Sequence, residues 1–286
     1  MYHCLHYPRW LRFAALAMSA ALQGACAAPP TAMPAAPDPS LVREFAPTGK
    51  LRAAINFGNP ILASKNAAGD AFGVSVDLAR ELGKRLGLPV ELVTFSAAGK
   101  VVEAVKAAQV DIAFVAVDPV RGADMAQTAA YIEIEGAYAV HQDSKLTQNE
   151  HVDAAGNRIM VARGSAYDLY LTRAIQAATL HHVATSQAVT DGMVAQNLEV
   201  AAGVRQQLRA DVQRIPGLRL LPGRFMVIHQ AMGLPKGREA AHAYLGAFVE
   251  DMKASGFVAQ ALQRHGVQGA AVAPAALPAA SPAAQH

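Results

Sequence analysis

The stretch of this sequence best suited to hold an anion is Asp118-Pro119-Val120-Arg121, in which proline stiffens a turn and a guanidinium stands three residues from a carboxylate. A planar guanidinium grips a carboxylate through two parallel hydrogen bonds. From spacing alone the same four residues also read as an ion pair on a surface turn. Arg163-Gly164-Ser165-Ala166 offers a second anion site, because it falls between a strand pattern and a helix pattern, where free N–H groups and the helix dipole favour negative charge. Ser165 there reads equally as a simple helix cap. Asn56-Phe57-Gly58-Asn59-Pro60 adds an aromatic face with Asn59 as polar neighbour, although Phe57 taken by itself is as well explained as core. Glu133 and Glu135 alternate in Tyr131-Ile-Glu-Ile-Glu-Gly136 and so share one strand face, the pattern of a solvated edge.

Other chemistries are excluded or weak. There is no G-x-x-x-x-G-K-[ST] loop, no G-x-G-x-x-G opening a helix after the first strand, no G-x-S-x-G elbow and no H-E-x-x-H. Of 286 residues two are cysteines, Cys4 and Cys26, so the folded body has neither disulfide nor thiolate metal site. His181-His182 is an adjacent pair on a strand, and neighbouring strand residues point to opposite faces, which argues against a shared metal. No metal and no cofactor is expected. Lys plus Arg number 25 against 22 Asp plus Glu, a balance that excludes binding driven by nucleic-acid phosphates.

The elements that would position these residues follow from periodicity. Apolar residues make up 52% and charged residues 16%, a globular composition, and the length suits about two domains. Leu51–Phe57 is a predicted strand. Leu78, Leu82 and Leu86 share one face of a helix over 77–86, with Asp77 at its start as cap and dipole partner. Val90–Phe95 is a second strand, Ser96 caps a second helix, and Val110–Val117 is a third strand, apolar on both faces. This is βαβαβ, which right-handed crossovers wind into a parallel sheet with helices on both sides. The pattern restarts after residue 138, with strands at 137–141, 158–163, 180–185, 198–202 and 224–234 and helices at 167–178, 187–196, from 204, 238–254 and 257–264. Two α/β units joined in mid-sequence leave a cleft, and ligands of open α/β sheets sit beyond the carboxyl ends of the strands.

Leu51-Arg-Ala-Ala-Ile-Asn-Phe57, Gly73-Val-Ser-Val-Asp77-Leu78-Ala79-Arg80-Glu81-Leu82, Val110-Asp111-Ile-Ala-Phe-Val and Val161-Ala-Arg-Gly164-Ser165 resemble, in order, the polar-amino-acid family (family 3) of periplasmic solute-binding proteins of ABC importers. The likeness spans roughly residues 48–266 and implies a two-lobe, type II α/β fold whose lobes close over a solute. It implies lobe 1 over 48–137 plus 231–268, lobe 2 over 138–230, and hinge crossings near Ala137–His141 and Met226–Leu234. By this resemblance Arg121 holds the solute carboxylate, with Gly164, Ser165 and Ala166 as backbone donors, Phe57 over the apolar part, and Asn59 and Asp118 in the site. The implied partners are a carboxylate-bearing solute, such as an amino acid, and an inner-membrane ABC permease, with the protein a monomer. The chain departs from the family pattern at three places. Ala116-Val117-Asp118-Pro119 replaces a Gly-Met-Ser/Thr-x-Thr stretch, Ala166 stands where a threonine is usual, and Ala201-Ala202-Gly203-Val204-Arg205 lacks the acid that pairs with the ammonium. Either another acid substitutes or the solute lacks an amine; Glu133 and Glu135 are the candidates for the substitution, with Glu135, beside Gly136 before the hinge, the expected one. Cyclohexadienyl dehydratases resemble the same fold, with Asp118 or Glu135 as acid–base group in that alternative; a sensor module without a transport role is another.

Both ends read differently. Arg9 and Arg12 form a charged region and Leu11 to Leu22 is almost wholly apolar, the pattern of an export signal over 1–27, too short to span a bilayer. Ala25-Cys26-Ala27 suits cleavage after Ala27, whereas Leu22-Gln-Gly-Ala-Cys26 resembles a lipobox that would acylate Cys26; a periplasmic protein results, free or anchored. Residues 28–47 and 269–286 are rich in Pro and Ala and are expected to be a linker and a disordered tail.

Overall fold

The computed structural model describes residues 38–277. The export signal, Cys26 and the remainder of both Pro/Ala stretches lie outside the described residues. In chain order the elements are α1 (Pro39–Phe45), β1 (Leu51–Asn56), β2 (Ser64–Lys65), β3 (Ala71–Phe72), α2 (Val74–Leu86), β4 (Val90–Phe95), α3 (Ala98–Lys106), β5 (Ile112–Ala116), α4 (Pro119–Gly122), β6 (Met125–His141), β7 (Arg158–Ala162), α5 (Ala166–Ala174), β8 (Thr179–Val183), α6 (Val189–Ala195), β9 (Val200–Val204), α7 (Arg205–Arg214), β10 (Leu218–Leu220), β11 (Met226–Pro235), α8 (Glu239–Ala254), α9 (Phe257–Arg264) and β12 (Ala270–Val272).

One sheet runs β4-β1-β5-β11-β6-β9-β7-β8, and β10 and β12 also pair with β6. The outer groups β4-β1-β5 and β9-β7-β8 are parallel, joined by crossover helices as their apolar strands require. Between them β6 and β11 run antiparallel, with register shifts between Gln230 and Gly233. β6 is 17 residues long, so a single strand starts in one half and ends in the other. β11 pairs along it from Met125 to Gly136, and Ala137–Val140 are buried, which is why the chain stays extended where the sequence pattern suggests a strand only from 137.

Local chemistry explains several shifts from expectation. The first long helix begins at Val74, with Gly73 as N-cap at φ 124°; Asp77 sits in its first turn and accepts from Arg264 and His265. Ser96 does not cap α3: the N-cap is Ala97, and Ser96 Oγ instead accepts from Lys100. Residues 39–45, expected as linker, form α1 because Asp38 accepts from the Ser40 N–H, Pro39 occupies the first turn, and Phe45 is fully buried edge-on to Tyr244. Residues 270–272, expected as tail, form β12 against Ile132–Ile134 of β6, a pairing made by main chain and so insensitive to the Ala-rich composition.

Candidate functional site

The carboxyl ends of three strands deliver the site, β1 and β5 from one parallel group and β7 from the other. β1 ends in an Asx turn in which Asn56 Oδ1 accepts from the Gly58 N–H (2.8 Å). A side chain at Gly58 would meet Asn56 Oδ1 and the Ser96 carbonyl at 2.9 Å, so the turn requires glycine. The turn carries Asn59 inward, 7% exposed. β5 ends at Ala116, and the next turn is capped by Asp118, which accepts from Val120 N–H (2.8 Å) ahead of Pro119. That short turn swings Arg121 back under β5. β7 ends at Ala162 and leads into α5, capped by Ser165.

These ends enclose a cavity of about 40 Å³ with Asn56, Asn59, Arg121, Ser165, Tyr167 and Gln230 in its wall. Arg121 is 2% exposed. Its guanidinium donates to the Ala116 carbonyl (3.0 Å) and, across the cleft, to the Gly164 carbonyl (2.9 Å), while its Nε is buried without a partner. Burial pushes its pKa down to about 10, with Asp118 opposing the shift, so the group is still a cation at neutral pH. Asn59 Oδ1 is likewise buried and unpartnered. Three helix N-termini converge here: the N-cap residues of α3, α5 and α7, namely Ala97, Ser165 and Val204, all line the cavity, and α3 and α7 have no side-chain cap. A buried cation, an unpartnered donor and three positive dipole ends make the cavity an anion site.

The expected residues divide. Arg121, Asn59, Ser165 and Ala166 line the cavity. Gly164 stands beside it with φ 69°, and a Cβ there would lie 3.2 Å from the Gly99 Cα of the opposite half. Its N–H is already taken by Asp168 Oδ2 (2.7 Å) and that of Ser165 by the Ala162 carbonyl (3.1 Å), so the expected backbone donor set shrinks to the Ala166 N–H. Phe57 does not cover the cavity: it lies half-buried under Lys65, and its carbonyl accepts from Gln187 of the other half (2.8 Å). Asp118 is absent from the wall as well, because Arg173 of α5 reaches across and pairs with it at 2.7 Å. Glu135 is not available to an ammonium. Arg205 (2.6 Å) and Arg224 (3.1 Å) hold it, on a separate surface hollow beside β12.

Arg173, Gln230, Ser186 and Tyr167 are residues the sequence reading passes over. Ser186 and Tyr167 are joined by a hydrogen bond of 3.0 Å in the wall, and burial pushes the Tyr167 pKa up to about 12, so it acts as a neutral hydroxyl. The one usable sequence signal among them is Ser186, which follows a strand end.

Residues 51–268 match the family model of bacterial extracellular solute-binding proteins, family 3. The chain belongs to that family. Its fold is also that of solved structures. The solute receptor for L-cysteine of Neisseria gonorrhoeae is 20% identical with a TM-score of 0.69, the match covering 80% of this chain and 95% of the receptor. An ancestral amino acid-binding protein, a precursor of cyclohexadienyl dehydratase, is 16% identical with a TM-score of 0.66, covering 78% and 97%. A histidine kinase sensor domain similar to periplasmic binding proteins is 16% identical with a TM-score of 0.67, covering 78% and 98%. No curated protein matches the chain significantly. Among the described residues no helix is long and apolar enough to cross a membrane.

Proposed function

We propose that this family 3 protein is an exported, periplasmic receptor that binds a small carboxylate-bearing solute, an amino acid or a related compound, and hands it to an ABC importer in the inner membrane. The lobes, residues 48–137 with 231–268 and residues 138–230, close by bending at β6 and β11. Arg121 receives the carboxylate through its free Nε and the remaining guanidinium hydrogens, with the Ala166 N–H as second donor. The observation that carries this reading is the fully buried guanidinium with an unpartnered Nε in a cavity between the halves: a cation in low dielectric without a counter-ion costs several kcal/mol, which a bound anion relieves. Binding is favoured over dehydration because no carboxylate or imidazole is among the cavity-lining residues, and Asp118 and Glu135, the acid–base candidates, are both held by arginines outside it.

Native mass spectrometry of the protein purified from the exported fraction tests the reading. A single carboxylate-bearing solute released intact on denaturation is the expected result. A protein without bound solute that also shows no thermal shift with any carboxylate would favour a sensor module, and release of a dehydrated product would favour an enzyme.

A further inference from the structure

We infer that the solute of this cavity is a short, amine-free carboxylate, in particular a 2-hydroxy acid, rather than an α-amino acid. The inference rests on the anion-binding reading above and adds the charge and length of what is bound. Two charged side chains are among the lining residues, Arg121 and Arg163, and both are cations. An α-amino acid brings an ammonium with its carboxylate, and an ammonium taken out of water needs a carboxylate partner.

The acids expected in the site, and Asp168 beside the Gly164 turn, are already committed. Asp118 pairs with Arg173, and Glu135 with Arg205 and Arg224. Asp168, 5% exposed in the first turn of α5, is committed as well: Oδ2 accepts the Gly164 N–H (2.7 Å) and Oδ1 meets His182 Nε2 (2.8 Å). The three helix N-termini add further positive potential, which repels an ammonium as strongly as it attracts a carboxylate. What the wall does offer beside Arg121 is a neutral acceptor, the buried Oδ1 of Asn59, without a donor of its own. A hydroxyl satisfies that acceptor without bringing charge.

Size points the same way. A water needs about 10–15 Å³ of such space, so the cavity of about 40 Å³ holds on the order of three waters. A two- to four-carbon acid can replace those waters. A long side chain would hold the halves apart and break the Arg121–Gly164 and Asp118–Arg173 contacts that bridge them.

The test is calorimetric titration of the purified protein with matched skeletons: glycolate against glycine, L-lactate against L-alanine, and propanoate, which lacks both groups. The expected order is lactate, then propanoate, then alanine, with at least about a tenfold gap between lactate and alanine, the factor that one lost charge-assisted or unsatisfied contact produces. Asn59→Asp places a carboxylate in the wall at constant size and is expected to reverse the preference of lactate over alanine. Alanine binding as tightly as lactate to the parent protein overturns the inference while leaving the anion site standing, provided that Arg121→Met weakens both. If none of these acids binds at millimolar concentration, or if they bind the Arg121→Met protein equally well, the anion-site reading falls and this inference with it.

Discussion

Replacing Arg121 by methionine separates a binding role from a structural one, because the two roles predict opposite balances of stability and affinity. The guanidinium is 2% exposed, and burial holds its pKa at about 10, well below that of a free guanidinium. At about 1.4 kcal/mol per pKa unit this is a penalty of about 3.5 kcal/mol on the charged form. The pKa is lowered on folding, so the penalty is complete at pH 7 and fades only as the pH rises from about 10 toward the unfolded value. Against it stand two hydrogen bonds to carbonyls, about 1.5 kcal/mol each at the lower end for a charged donor. The Ala116 carbonyl keeps a second donor, Gln127 Nε2 at 3.0 Å, so the substitution leaves a single carbonyl, that of Gly164, in need of water. The opposing contributions are similar in size, and Arg121→Met is expected to change stability without solute by less than about 2 kcal/mol. Solute binding should nevertheless weaken ten- to a hundredfold, since it loses a contact of about 1.5 to 3 kcal/mol. Urea unfolding without solute and calorimetry with it measure the two quantities. A loss of stability above about 4 kcal/mol with affinity retained would refute the argument, because Arg121 would then be a strut between the halves.

Two further substitutions probe the cleft and its surroundings. Arg173→Ala leaves Asp118, 5% exposed, without its cross-cleft partner and is expected to shift the solute-free protein toward an open form, visible as a larger radius of gyration in X-ray scattering and as an affinity lower by a factor of a few; an unchanged scattering curve would show that the pair does not hold the halves together. Glu135→Gln should leave solute affinity unchanged. Burial raises the carboxyl pKa of Glu135, but the hydrogen bonds and charges of Arg224 and Arg205 outweigh it and hold the group below its ordinary value, so its contribution is present above the unfolded pKa and lost as the pH falls through the folded one. The variant should therefore lose less stability than the parent on acidification below about pH 4.5, and a steeper loss, or a drop in affinity, would contradict that assignment.

The order of strands and helices is legible because each element obeys one period. β4 and α9 fall where alternation and the 3.6-residue repeat place them, and β5 is apolar on both faces because it is buried on both. α1 was hidden by composition: in a Pro- and Ala-rich stretch, Asp38-Pro39-Ser40 is nonetheless a helix start, and its evidence is a cap rather than a periodicity. β12 is too short to show a period: three residues pair through their backbone with β6, and Ala270 and Val272 pack on the core.

The site was legible at the strand ends and illegible wherever a charge found its partner far along the chain. Asp118 and Glu135 are the right residue types to face a cation, and each does face one. Their partners are Arg173, 55 residues away, and Arg205 and Arg224, 70 and 89 residues away, separations at which no local pattern operates. The consequence reaches the function. Once those pairings are made, the acids that could have neutralised an ammonium are spent, while Arg121, in the wall of the cavity itself, is reached by no acid through a hydrogen bond. The sign of the charge that the cavity accepts thus follows from which of its neighbours the fold has already paired, and a single new carboxylate at position 59 should be enough to change it.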